Sequence, residues 1–207
     1  MKELILIRHG EAEHLTNNLT GGWSDHPLTE LGMQQAFKTA QSIYSYLLNN
    51  AHISLYSSDL IRAQTTAQQI QSHLKINQIH YHPGLRELNN GIAKNISIDD
   101  AKKLLNPITH PTLDWIPYQN GESWRMLNQR IDTTMEEIHS HTHDDTVIII
   151  SHANAIICMI HWWLNIKEDH HLTNIMYSID PCSITHLIQD KHGCLTIKKL
   201  NDTSHLK

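Results

Sequence analysis

No apolar run in the chain approaches the roughly 18 residues that a membrane-spanning helix needs, so no membrane partner is expected. The first residues also lack the basic flank, long apolar stretch and cleavage site of a secretory leader. Positive charge is short: 16 Lys and Arg stand against 21 Asp and Glu, for a formal charge of −5. That balance argues against a broad nucleic-acid surface, which needs clustered Lys and Arg to neutralise phosphates. Cysteine is scarce, with only Cys158, Cys182 and Cys194 and no C-x-x-C spacing. Neither a disulfide framework nor a zinc ribbon is indicated, and a reducing cytoplasm is the expected location. No internal repeat interrupts this picture.

What is present is an ordinary globular balance, 40% apolar and 18% charged over 207 residues, enough for one domain spanning 1–207. "KELILI" (2–7) and "TVIIIS" (146–151) are continuous apolar, β-branched runs, the pattern of strands covered on both faces of a parallel sheet. "ISLYSS" (53–58) reads as a third strand. Thr29 is a plausible N-cap for a helix over 30–49, and Ser58 for one through "DLIRAQTTAQQIQSHL". Helical spacing returns at 122–140 and after His152, and 183–200 reads as two strands joined by a turn at Asp190–Gly193. Residues 84–121 carry Gly84, Gly91, Pro107, Pro111, Pro117 and Gly121, with a short helix near 98–105; they read as a lid-like excursion. Strands alternating with helices predict an α/β class, a three-layer α/β/α sandwich with a mainly parallel sheet. Ligands of such folds bind beyond the carboxyl ends of the strands. Arg8, His9 and His152 fall at that rim.

A charged Arg8-His9 pair ending a buried strand is poorly explained by packing, because a charge leaving a core is costly unless it is paired or solvated at a site. Gly10 behind it allows a ligand or another backbone to come close.

The stretch "LIRHGEAEHLTNNLTGGWSDHPLTELG" resembles, without a gap, the N-terminal signature of the histidine phosphatase superfamily, which includes the cofactor-dependent phosphoglycerate mutases. The resemblance continues in order through "YSSDLIRAQTTA" (56–67), "LRELNNG" (85–91), "GESW" (121–124) and "VIIISHANAI" (147–156). It implies that His9 attacks phosphorus to form a phosphohistidine, splitting one hard displacement into two easier ones. It assigns Arg8 as a clamp on the phosphoryl oxygens and Arg62, in the first turn of its helix, as a second phosphate-binding arginine. His152 would contact the phosphoryl group as an imidazolium. Glu87 would protonate the departing oxygen and then take a proton from the hydrolytic water. Gly22, Asn17 and Ala153 join Arg8, Arg62 and His152 as candidate substrate contacts. The expected partner is a small phosphorylated substrate, with no cofactor and no metal.

Three departures bear on the site. Many members carry an asparagine six positions after the signature histidine; here Leu15 stands there, with Asn17 or Asn18 as replacements. "IAKN" (92–95) replaces an aromatic-acid-glycine segment, and Ala153 replaces a glycine. Glu11 and Glu122-Ser123 are neighbours or substrate contacts at the rim, and Arg86 reads as a solvated charge. Trp162 and Trp163 read as core and subunit-contact residues, compatible with a homodimer. "HSHTHDD" (139–145) offers His139, His141 and His143 to a metal, but a histidine-rich connection is more often solvated surface. Hydrolysis is favoured over a mutase because mutases of this type usually have a longer chain and an asparagine-glutamate-arginine context, where this chain has "LREL". A phosphate-binding regulatory module without turnover is the alternative of another class.

Overall fold

The computed structural model describes residues 1–47 and 52–207. The elements in chain order are β1 (Glu3–Arg8), α1 (Glu13–Thr16), α2 (Glu30–Leu47), β2 (Ile53–Ser57), α3 (Ile61–Leu74), β3 (Ile79–Tyr81), α4 (Ile98–Lys103), α5 (Trp124–His141), β4 (Thr146–Ser151), α6 (Ala153–Trp163), α7 (Asp169–Asn174), β5 (Ile184–Gln189) and β6 (Leu195–Asp202). They form one six-stranded sheet in the order β3-β2-β4-β1-β5-β6. The β3-β2-β4-β1 part is parallel, and β5 and β6 extend it antiparallel.

The two central strands explain the layering. Alternate side chains of β1 and β4 leave opposite faces. Leu4, Leu6, Val147 and Ile149 pack with Leu127, Ile131 and Met135 of α5 and with Ile156 and Ile160 of α6. Ile5, Ile7, Ile148 and Ile150 pack with Ala40 and Ile43 of α2 and with Ala63, Ala67 and Ile70 of α3. Both faces are covered, so the runs are apolar throughout and the predicted three-layer sandwich follows. Trp163 is a core residue at 6% exposure, and Trp162 donates its indole N–H to Glu136 at 2.9 Å.

Thr29 caps α2 as its sequence predicts, its Oγ1 accepting from the Gly32 amide at 3.0 Å. The last residues of the 30–49 helix, 48 and 49, lie outside the described residues. Ser58 is not the cap of α3. That helix begins at Ile61 after Leu60, and the Ile61 amide is satisfied by Asp25 Oδ1 from a distant loop at 2.7 Å. A tertiary acceptor has taken the place of the local one, which frees Ser58 to face His152. β3 escaped the sequence reading because a three-residue edge strand among polar residues shows no period. The 84–121 segment does contain the expected short helix, α4. It is laced together by Ile92 N–H to Gln119 and Asn106 N–H to Pro117, and it is tied to the 19–24 loop through Thr20 N–H to the Ile96 carbonyl and a Leu19–Ser97 bridge.

Gly10 serves a second backbone rather than a ligand: a Cβ there would stand 2.5 Å from the Gly32 carbonyl oxygen, and one on Gly32 would stand 2.0 Å from that of Glu11. The start of α2 is thereby pressed against the loop behind His9. Gly32→Ala is expected to cost about 2–3 kcal/mol through forced separation of the two backbones, seen as a lower urea midpoint. An unchanged midpoint would mean that this contact imposes no constraint.

Candidate active site

The parallel register sets Arg8 opposite Ser151, and the His9 amide donates to the Ser151 carbonyl at 3.0 Å. The side chains that follow β1 and β4 therefore emerge together. The His9 and His152 rings lie 5.0 Å apart, edge to face, at 2% and 0% exposure.

The tautomer of His9 follows from its two bonds. Nδ1 donates to the Gly10 carbonyl at 2.7 Å, and Nε2 accepts from Arg62 Nε at 3.1 Å. Nε2 thus carries the lone pair and faces a guanidinium. Arg62, at the second position of α3 and 1% exposed, is held by the Ser24 and Gly22 carbonyls at 2.6 and 2.8 Å. Gly22 makes this possible with φ +56, a left-handed conformation that glycine adopts without penalty. Arg8 donates through Nη1 to the Ile179 carbonyl at 2.7 Å, while its buried Nε has no partner among the described residues.

Glu87 completes the cluster. Its Oε1 accepts from the Leu88 amide at 2.7 Å and its Oε2 from the Asn154 amide at 3.3 Å, at the start of α6. Its carboxylate acts on both Arg8 and Arg62, favouring their charged forms. The Glu87 backbone is fixed by Trp23 Nε1 at 2.6 Å and Arg130 Nη2 at 3.1 Å. Ala153 opens α6 with its side chain partly exposed.

Several expectations change. Asn17 caps the end of α1 on the exposed surface, and its side chain makes no hydrogen bond to the cluster among the described residues. Arg86 is half-buried and paired: its guanidinium grips Asp59 through two 2.6 Å bonds and lies over the Trp23 ring at 5.0 Å. Glu122 is tied to Arg130 at 2.7 and 2.8 Å and accepts from the Asn89 amide. Ser123 caps α5 by accepting from Met126. Glu11 accepts from the Thr29 hydroxyl at 2.7 Å. These three hold the frame and do not enter the cluster. Among the described residues no group of three or more His, Cys, Asp or Glu is placed to hold a metal.

Burial, then Arg62, His9 and Arg8, hold the pKa of His152 well below the usual histidine range, so in the free protein it is neutral. Its Nε2 meets Ser58 Oγ at 2.9 Å. Burial, then Arg62 and Arg8, lower His9 in the same way, leaving its lone pair available at neutral pH. Burial pushes Arg62 down to about 10, still cationic at pH 7. His14, Trp23 and Asp59 lie within the quoted motifs but were assigned no part in the site; the folded 14–26 segment brings in His14 and Trp23, and Asp59, just ahead of α3, comes in through Arg86.

Because His9 and His152 resist protonation when folded but take protons near pH 6.5 when unfolded, their contribution is intact above that pH and is lost as pH falls below it. The loss between pH 7 and 5.5 should be on the order of 1 kcal/mol per histidine, measured by urea unfolding. His152→Gln should lessen the decline, and an equally steep decline in that variant would contradict the assignment.

Residues 4–203 match the family described as the histidine phosphatase superfamily, branch 1. A probable phosphoglycerate mutase of Yersinia pestis is 27% identical over all of this chain and 95% of its own length. A mutant phosphoserine phosphatase from Entamoeba histolytica, in complex with phosphoserine, superposes with a TM-score of 0.77 at 28% identity, covering 100% of both chains. The Bacillus stearothermophilus protein YhfR does so with a TM-score of 0.80 at 25% identity, again over 100% of both. The geometry of the rim and the match over nearly the whole length agree: the chain belongs to the histidine phosphatase superfamily, branch 1.

Proposed function

We propose that this protein hydrolyses small phosphomonoesters through a phosphohistidine on His9. The observation that carries the reading is the state of His9: a buried neutral imidazole whose Nδ1–H is spent on Gly10 and whose Nε2 lone pair faces a guanidinium. In the first step the Arg62 Nε–H leaves Nε2 for a phosphoryl oxygen. Nε2 bonds to phosphorus, the phosphorus–oxygen ester bond breaks, and the departing oxygen takes a proton from Glu87. The Gly10 carbonyl then faces the Nδ1–H of a cationic phosphohistidine, where its dipole is worth most. In the second step water attacks phosphorus and gives its proton to Glu87, and the nitrogen–phosphorus bond breaks with the lone pair returning to Nε2. Arg8 and Arg62 supply the cationic charge that phosphoryl transfer needs, and an incoming anion favours protonation of His152.

Glu87 is held within reach of the reacting oxygens by the start of α6 and by a loop fixed by Trp23 and Arg130. It enters the first step protonated, a form that the negative charge of the bound phosphoryl group favours, and leaves it as the carboxylate that takes the proton of water. Substrate choice is assigned to the 84–121 segment, which packs over the 19–24 loop as a specificity lid of one domain. The phosphatase relative is named in complexes with phosphoserine and with 3-phosphoglyceric acid, so small carboxylated phosphomonoesters are the first substrates to try. Transfer back to a bound glycerate, as in a mutase, is the second reading, favoured by the Yersinia pestis relative. A cytoplasmic location is supported by Cys158 and Cys182, both buried free thiols.

The test is phosphate release from an aryl phosphate and from an alkyl phosphate in excess chelator. His9→Ala should abolish both. Glu87→Gln should slow the alkyl ester by about 100-fold or more and the aryl ester far less, since only the poor leaving group needs the proton. Equal slowing would remove Glu87 from the acid role, and phosphoglycerate interconversion without phosphate release would favour the mutase.

A further inference from the structure

One histidine of this neighbourhood has no part in the reaction above. His14 lies in α1, 7% exposed, with its ring 6.1 Å from that of His9 and 5.7 Å from that of His26. Its Nε2–Cδ2 edge abuts Gly21, where a Cβ would come within 2.8 Å of Nε2. A side chain at 21 would fill the space that the imidazole occupies. The opposite nitrogen, Nδ1, is buried and has no hydrogen-bond partner among the described residues.

Two other buried side-chain nitrogens beside His9, Arg8 Nε and His152 Nδ1, are also unpartnered. Buried polar atoms are seldom left unpaired in folded proteins, and three on the groups around one nucleophile form a set. Each can donate, and a tetrahedral oxyanion is the ligand that accepts several donors at once. Arg62, His26 and Arg8 are the groups that act on His14 electrostatically, and the two arginines favour an anion beside it. The position to which the family resemblance assigns a phosphate-holding asparagine is Leu15, 42% exposed. Neither proposed substitute reaches in: Asn17 is exposed, and Asn18 is exposed with φ +54.

We infer that His14 is a substrate-binding residue whose Nδ1–H donates to an oxygen of the substrate's phosphoryl group, one position before the residue that Leu15 replaces. The inference rests on the phosphatase reading. His14 adds a donor from the 14–26 segment, its ring 6.1 Å from that of the nucleophile. His26, its ring tilted against that of His14 and its own Nε2 buried and without a partner among the described residues, supports the ring.

Inorganic phosphate is the probe, with its dissociation constant taken by calorimetry and its competitive inhibition constant by assay, on the parent, His14→Leu and His14→Asn. His14→Leu should weaken phosphate binding about tenfold, as expected for loss of one hydrogen bond to a charged group. His14→Asn, which restores an N–H donor, should recover part of the loss, and KM should move more than kcat. A folded His14→Leu that binds phosphate within twofold of the parent overturns the inference alone, as do Leu and Asn variants that are equally weak. A parent that binds no phosphate overturns the phosphatase reading and this inference with it. If His14→Leu does not fold, the imidazole nitrogen resonances of His14 in the labelled parent decide: a shift of Nδ1 on adding phosphate supports the contact, and no shift refutes it.

Discussion

Two guanidinium groups buried beside neutral imidazoles are the condition to which the rest of this structure answers. A buried cation without a partner is among the costliest arrangements a fold can adopt. Arg62, 1% exposed, is held by two loop carbonyls and the lone pair of His9. Arg8 has the Ile179 carbonyl. Among the described residues neither forms an ion pair with a carboxylate, and the charge of Glu87 favours the cationic form of both. The site is therefore short of negative charge, which a phosphoryl group supplies on binding. Burial first, and then the same positive field, keep His9 and His152 neutral, which preserves the nucleophile.

The scaffold meets this condition with backbone rather than side chains. The Arg62 anchors are the carbonyls of Gly22 and Ser24, so the 14–26 loop must approach α3 closely, and Asp25 of the same loop completes the start of that helix. The Gly10–Gly32 contact presses α2 against the loop behind His9. Around Glu87, Trp23 and Arg130 hold the main chain, Glu122 holds Arg130, and Asp59 holds Arg86 over Trp23. Charges are paired outside the cluster and left without carboxylate contact within it. That division separates support from chemistry.

Much of this was legible from the residues. Apolar runs at 4–7 and 147–150 meant strands covered on both faces, and Arg8, His9 and His152 just beyond them meant a shared rim. Thr29 was readable as a cap because its acceptor and the amide it serves are three residues apart. Ser58 was misread for the converse reason: the acceptor that α3 uses, Asp25, is 36 positions away. Arg86 and Glu122 were read without their partners Asp59 and Arg130, which no local pattern connects to them.

By itself, then, the sequence indicated the layers and the rim through local periodicity, and named His9, Arg8, Arg62, Glu87 and His152 as candidates through the resemblance of its ordered motifs to the family. Only the tertiary structure decided which nitrogen of His9 carries the lone pair, that His152 is neutral, that Asn17 stays outside, and that His14 stands inside. Those are properties of burial and of through-space fields from Arg62 and Arg8. Burial and field depend on distances between segments far apart in the chain, and spacing along a single chain does not encode them.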